Sequence, residues 1–170
     1  MTPPPSEDVR DIVEYDKQTG ELRWKVDMRT GSVRQVVLGK AGEVAGTKNK
    51  HHGYVTIRIN GRQYIAHRVA WWLATGEWPI AIDHKDGDRA NNKFENLRAA
   101  DYKINNQNRR RAIPNSTTGF LGVTRTPEGR FVARIGVNGK NLYFGTHETP
   151  EQAHEAYLAA KREFHEGCTI

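Results

Sequence analysis

Between Ile82 and Asn108 the chain reads IDHKDGDRANNKFENLRAADYKINNQN. Asp83 and His84 are adjacent, Asn96 stands twelve positions after His84, and Asn105 stands twenty-one after it. One carboxylate and one amide carbonyl make a hard, incomplete oxygen set. Such a set suits magnesium or manganese, which keep several waters and accept a substrate phosphate as a further ligand. A histidine outside that set, with an ordinary pKa of ~6.5, is largely neutral at working pH and can take a proton from an attacking water. The metal would stabilise charge on the phosphoryl group and on the leaving oxygen. These residue types therefore point to hydrolysis of a phosphodiester. Asn96 has different chemistry: its amide can bond backbone groups across a loop and hold the His84 ring in place.

The local pattern places these residues. Ala81 to His84 reads as a short strand, Lys85 to Asn92 as a polar loop, and Asn96 to Ala99 as a returning strand. Asp101 caps a helix expected to run to about Arg111, with Asn105 one turn beyond its start, so that its side chain can point back toward Asp83 and His84. The result is a ββα unit. Neighbours in a flat strand face opposite sides, so Asp83 and His84 can share a site only if the strand bends or ends there.

Upstream, Met1 to Pro5 carries three prolines and is expected to be disordered. Ser6 is a plausible N-cap for a helix from Glu7 to Tyr15 that buries Val9, Ile12 and Val13. Lys17 to Gly20 reads as a turn and Glu21 to Val26 as a strand. Asp27 to Lys50 is polar and Gly-rich, compatible with a strand near Val33 to Leu38. Gly53 to Ala66 is a β-hairpin turning at Asn60-Gly61, a pair that tolerates positive φ. His67 to Thr75 reads as a helix stopped by Gly76 and Pro79, with Val69, Ala70, Trp72 and Leu73 inward. His67 and Arg68, opening that helix, are read first as structural and second as phosphate contacts.

The segments WKV, AGEVAGTK, AHRVAW and TGEWP, followed by IDHKDGDRANNKFENLR and NNQN, resemble phage-type HNH endonucleases, many of them homing enzymes, over roughly Val9 to Asn108. The resemblance implies a ββα-metal nuclease that uses one divalent ion. Asp83 and Asn105 would be its ligands, His84 the general base and Asn96 the central structural Asn. Many HNH motifs end in His where this chain has Asn105, and Asn106 and Asn108 stand beside it as alternative ligands.

Charge marks a second functional region. The formal net charge is +6, yet the first 21 residues sum to −4. From Tyr102 to Thr146 there are eight Lys or Arg against the single acid Glu128. A stripe of that sign, which includes Arg109 and Arg110, suits a polyphosphate partner. Ala112 to Gly119, broken by Pro114, reads as a linker. Beyond it, strands are expected at Leu121 to Arg125, Arg130 to Val137 and Lys140 to Gly145. Thr149-Pro150-Glu151-Gln152 then forms a capping box opening a helix to about Glu166.

Alternation puts Phe131, Ala133 and Ile135 under that helix and leaves Arg130, Val132 and Arg134 outside, with Asn141 and Tyr143 beside them. By the same count Thr124 and Thr126 face out and Arg125 shares the parity of buried Val123. The motifs GFLGV, RFVARI, LYFGTH and TPEQAHEAYLAA resemble the Apetala-two (ethylene-response factor) DNA-binding domain, whose sheet enters the major groove. That resemblance ranks Arg130, Arg134 and Tyr143 first as DNA contacts, with Lys140 on phosphate. The family usually carries Arg where Thr124 and Thr126 stand, so its sequence preference does not transfer.

With 170 residues, 36% of them hydrophobic, the chain has room for small cores only. The single Cys168 can form neither an internal disulfide nor a thiolate zinc site, which fits a reducing cytoplasm. No apolar run is long enough to cross a membrane and the N-terminus lacks signal-peptide features, so the protein is read as soluble and cytoplasmic. The expected architecture is α+β. It comprises an N-terminal mixed segment (1–50), an HNH ββα-metal core (51–111), a linker (112–119) and a three-stranded antiparallel sheet packed on one helix (120–170). The expected activity is magnesium- or manganese-dependent cleavage of double-stranded DNA, with no small-molecule cofactor, by a chain read as a monomer. The competing class is a non-catalytic DNA-binding regulator with a decayed motif; an RNA-binding or packaging accessory protein comes third.

Overall fold

The structure is a computed structural model that describes residues 3–29, 37–113 and 115–170. The chain divides into two compact units, Met1–Ala100 and Asp101–Ile170. Of the linker that sequence patterning places at 112–119, Pro114 lies outside the described residues. Both units are mixed α+β with small antiparallel sheets.

In the first unit, Asp8 precedes a single helical turn, α1 (Val9–Ile12), and the chain turns at once into β1 (Val13–Tyr15). This corrects the helix expected from Glu7 to Tyr15. The Val-Glu-Tyr run pairs with β2 (Leu22–Trp24) in the register Val13↔Trp24 and Tyr15↔Leu22, which buries Val13, Leu22 and Trp24 together. The β-branched Val13 and the aromatic Tyr15 gain more from that pairing than from another helical turn. Ser6 serves through its backbone carbonyl, which accepts from Val9 N at 3.0 Å. Pro5, expected in a disordered tail, is buried, while Met1 and Thr2 lie outside the described residues.

Strands β3 (Met28–Arg29) and β4 (Val37–Gly39) form a small ladder; residues 33–36 of the strand expected at Val33 to Leu38 lie outside the described residues. Strands β5 (Thr47–Lys48), β6 (Val55–Ile59) and β7 (Arg62–Ile65) make a three-stranded antiparallel sheet. Its hairpin turns at Asn60 (φ 49°) and Gly61 (φ 76°), the pair of positive φ values that a two-residue turn between right-twisted strands requires.

Helix α2 (Ala66–Thr75) follows directly, and Gly76 in the left-handed region closes it, donating to Trp72 O at 2.8 Å. Ala66, Val69, Ala70 and Trp72 sit on its buried stripe. With Val9, Val13, Leu22, Trp24, Ile57, Ile59, Tyr64, Ile82 and Leu97 they form one core. Strand β8 (Ala81–His84), a 3-10 turn (Phe94–Asn96) and β9 (Leu97–Ala100) complete the unit.

The second unit opens with α3 (Tyr102–Gln107), capped by the Asp101 carboxylate, which accepts from Ile104 N at 2.7 Å. The helix ends at Gln107, short of the expected Arg111. The C-terminal tail holds the residues that follow: Thr169 Oγ1 donates to Asn108 Oδ1 at 2.5 Å, and Gly167 N donates to Gln107 Oε1 at 3.0 Å. Lys161 is buried and its Nζ donates to Arg109 O; burial pulls its pKa below the ordinary lysine value. Strands β10 (Val123–Arg125), β11 (Phe131–Val137) and β12 (Lys140–His147) form an antiparallel sheet that packs on α4 (Pro150–Phe164). The Thr149/Gln152 capping box starts α4.

Candidate active site and nucleic-acid interface

All four residues of β8 are buried, and the strand ends at His84. Pairing with β9 sets Asp83 opposite Arg98 and His84 opposite Leu97. The Asp83 carboxylate is buried, and its Oδ2 accepts from Arg98 Nε at 2.8 Å, with Arg98 Nη2 at 2.6 Å from the same oxygen. His84, also buried, has its Nε2 3.1 Å from Asn92 Oδ1. The amide oxygen assigns the proton to Nε2 and makes Nδ1 the basic nitrogen. Burial lowers the His84 pKa, against the opposing pull of Asn92, Asp86, Asp83 and Asp88, so the ring is neutral at neutral pH.

The loop from Lys85 to Glu95 keeps Asn92 in place. Asn96 is its central tie: its Oδ1 accepts from Asp86 N at 3.0 Å, while its Nδ2 donates to Asp86 Oδ1 at 3.0 Å and to Asn91 O at 2.8 Å. Asn91 Nδ2 reaches Asp86 Oδ2 at 2.6 Å. Burial would raise the Asp86 pKa, but donors from Asn91, Asp88 and Asn96 and the neighbouring His84 outweigh it, and the carboxyl stays ionised. Tyr15 O–H donates to Asn92 O at 2.7 Å. Gly20, at φ +80°, lies so close that a Cβ there would come within 2.5 Å of the Asn92 and Lys93 backbone. Any side chain at position 20 would push the loop, and Asn92 with it, away from His84.

Behind His84 stands a ring cluster. The His67 ring lies 5.0 Å from His84, and Tyr54 is 5.2 Å from His67 and 5.9 Å from His84. His67 is buried and its Nδ1 has no hydrogen-bond partner; burial, with His84 and Arg68 adding to it, holds its pKa well below the usual histidine value. Sequence spacing does not single out Asn92, Asp86, Arg98 or Tyr54, and it favours a structural role for His67. Alternation could have found Arg98, because a β8–β9 ladder in this register faces it toward Asp83. Asn92 sits in an Asn-rich loop where spacing does not rank one amide above its neighbours.

Asn105 lies on α3 in the second unit. Of its two rivals, Asn106 Oδ1 accepts from Arg109 Nη2 at 3.2 Å and Asn108 Oδ1 accepts from Thr169. Among the described residues, no three His, Cys, Asp or Glu side chains converge in a metal-binding group. A set of one carboxylate, one amide and water does not require one. The buried Asp83 carboxylate, held on one oxygen by Arg98, fits such a partial oxygen set.

The outer face of the second unit's sheet carries the other candidate residues. Arg134 pairs with Tyr143, and Thr124 pairs with Val132, which pairs with Thr146. Arg134, Lys140, Thr124 and Tyr143 are exposed. A register shift between Val132 and Arg134 places one extra residue on β12, with Gly145 at φ +102°. It brings Thr146 onto the same face as Tyr143, whose O–H lies 2.9 Å from Thr146 Oγ1. Simple alternation puts those two on opposite faces.

The strand ends and faces differ in detail from simple alternation. Val132 lies outside the cluster on α4, as expected, yet is buried. Arg130 precedes β11 and belongs to the turn, its N donating to Thr126 Oγ1 at 3.3 Å. Thr126, half-buried, is thereby engaged in that turn. Arg125 pairs opposite Phe131 and is exposed. Arg109 and Arg110 are exposed, with Arg110 Nη2 donating to Thr169 O at 3.1 Å.

Comparison with known proteins bears on both regions. Residues 64–107 match the HNH endonuclease family. The matched segment runs from β7 through α2, the β8–β9 ladder and α3, and so contains Asp83, His84, Asn96 and Asn105. The chain is also 45% identical over 53 residues to an ethylene-responsive transcription factor of Arabidopsis thaliana. That similarity covers 30% of this chain and 16% of the plant protein, and it supports a DNA-binding domain at the C-terminal end. No solved structure matches. The HNH match supports a nuclease or nuclease-like function, and the two similarities together suggest DNA binding. Among the described residues no helix is long and apolar enough to cross a membrane.

Proposed function

We propose that the protein is a metal-dependent DNA endonuclease of the kind phages use for homing, acting on double-stranded DNA in the cytoplasm of the host. The observation that carries the reading is the His84–Asn92 bond beside the buried Asp83. It supplies a neutral imidazole with its proton fixed on Nε2, so that Nδ1 can take the proton of the attacking water. Asn96 acts as scaffold by tying the loop that holds Asn92. Asp83 would hold the ion, and Asn105 is the second ligand that the HNH resemblance implies. Magnesium or manganese bound there would supply Lewis-acid stabilisation of the phosphoryl charge. Arg134, Tyr143, Thr124 and Lys140 on the C-terminal sheet contact DNA, and Arg109, Arg110, Arg130 and Thr126 flank that surface.

Each chain offers one such set, and one centre aligns water with one phosphodiester at a time. A monomer therefore nicks. Supercoiled plasmid incubated with the purified protein and magnesium is expected to become open circles before any linear product, and chelation with EDTA is expected to stop the reaction. Binding without any metal-dependent cleavage would instead establish a non-catalytic DNA-binding regulator.

A further inference from the structure

Residues 44–76 contain Lys48, Lys50, Arg58, Arg62 and Arg68 and no Asp or Glu. This stretch builds the β5–β6–β7 sheet and α2. Its register aligns Thr47, Thr56 and Ile65 across the three strands, with Arg58 opposite Gln63 in the next row. Ile57, Ile59 and Tyr64 turn into the core, so Thr56, Arg58, Gln63 and Ile65 share the other face. A cavity of about 300 Å³ opens there, lined by Thr56, Gln63 and Ile65 with His52, Arg68 and Trp78 among its walls.

The chemistry of that lining is specific. His52, Thr56 and Gln63 offer ring, hydroxyl and amide groups, and among the described residues no carboxylate lines the pocket. The Arg68 guanidinium sits 4.4 Å over the Trp78 ring while its Nη2 donates to Pro79 O at 2.9 Å, which fixes a positive charge in the wall. Arg89 is not part of the lining but is tied to it, its Nη1 donating to His52 O at 3.0 Å. Ile65 and Trp78 supply an apolar wall against which a sugar can pack. The pocket also adjoins the reactive centre: the His52 ring is 5.6 Å from Tyr54, which is 5.9 Å from His84.

We propose that this pocket is a DNA-backbone subsite, holding one deoxyribose-phosphate unit beside the phosphodiester attacked by the water that His84 deprotonates. The assignment rests on the endonuclease reading and goes beyond it, because it gives the nuclease unit its own grip on the strand. A donor-rich, carboxylate-free pocket with a fixed guanidinium matches a phosphate diester, and a backbone contact positions DNA without reading its sequence.

The test uses the full chain and duplex DNA, with affinity rather than cleavage as the readout. Gln63→Glu keeps the side-chain shape and puts a carboxylate into the pocket; Gln18→Glu makes the same charge change in the exposed 17–19 turn as a control. Gln63→Glu is expected to weaken binding to all sequences alike and to reduce the slope of log affinity against log salt by ~0.9, the value of one phosphate contact. A single ethyl phosphotriester moved along the strand beside the cut is expected to weaken wild-type binding at one position, where Gln63→Glu becomes insensitive. Gln63→Leu, neutral and without polar atoms, gives the same map if the glutamate variant does not fold. Variants that bind with the control's affinity and salt slope overturn the subsite, and so does a position sensitive to an abasic nucleotide but not to a phosphotriester. A wild-type chain that binds no duplex overturns the endonuclease reading together with it.

Discussion

Arg98 stands directly across the β8–β9 ladder from Asp83, and its Nε and Nη2 both meet a single carboxylate oxygen, Oδ2, at 2.8 and 2.6 Å. The Asp83 side chain is 5% exposed and that of Arg98 25%, so the pair lies on the dry side of the surface. Removing one partner of such a pair strands a buried charge, whereas the intact pair adds little net stability. Arg98→Ala is therefore expected to destabilise the protein by roughly 3 kcal/mol, the low end for a buried pair because Arg98 keeps some solvent. Arg98→Ala combined with Asp83→Asn should recover much of that loss. Urea denaturation of the two singles and the double checks it, and additive effects would mean that the pair is not coupled.

His84→Gln retains a polar side chain but lacks a basic ring nitrogen. Loss of a general base typically costs ~10²–10⁴ in rate. Cleavage is expected to fall by that range, with DNA affinity within a few-fold of wild type. Asn92→Leu should give a smaller loss, because the ring remains but its proton is no longer assigned to Nε2 by the amide oxygen. Single-turnover cleavage measures both. Undiminished rates in His84→Gln would remove the ring from the mechanism.

His67 carries a pH dependence whose sign is determined by burial. Its folded pKa lies well below that of the exposed ring, ~6.5. Below that value the unfolded chain binds a proton that the folded chain refuses. The stability contribution is thus complete above about pH 6.5 and is lost progressively as pH falls toward the folded value. All four tryptophans, Trp24, Trp71, Trp72 and Trp78, lie in the first unit, so their fluorescence follows its unfolding. Denaturation at pH 7 and pH 5 is expected to show a loss of stability that shrinks in His67→Met. An unchanged pH slope in that variant would contradict a neutral, buried ring.

Elements specified by local chemistry were legible in the sequence. The turn at Asn60-Gly61 and the Thr149/Gln152 cap depend on residues a few positions apart, and both stand where patterning places them. Features decided by distant partners were not. Val13 to Tyr15 carries a helical stripe when read alone, and becomes a strand because β2 offers it a ladder. The extra residue on β12 resets which of Tyr143 and Thr146 shares a face, and alternation has no means of announcing it. In the candidate site, Asp83, His84 and Asn96 were named from residue type and spacing. Asn92 and Arg98 depend on loop ties and ladder register, which emerge only once the chain is folded.

The packing of α3 bears on how the proposed cleavage and the proposed DNA readout can be separated. Sequence patterning suggests a clean cut near Ala112, which would leave a catalytic core free of its reader. In the folded unit, however, the tail donates to Gln107 from Gly167 and to Asn108 from Thr169, and Lys161 of α4 donates to the Arg109 carbonyl. A chain ending at Ala112 loses all of these partners, and a six-residue helix does not hold its shape alone. Truncation is therefore expected to abolish cleavage as well as specific binding. Point changes separate them: Arg134→Ala with Tyr143→Ala removes two exposed side chains that the folded unit does not need. That variant should lose preference for its target over random competitor DNA while still nicking plasmid at high protein concentration, because phosphate contacts elsewhere remain. Competition binding and plasmid nicking on both proteins decide the matter. If residues 1–112 nick as fast as the full chain, α3 does not depend on the tail that clasps it.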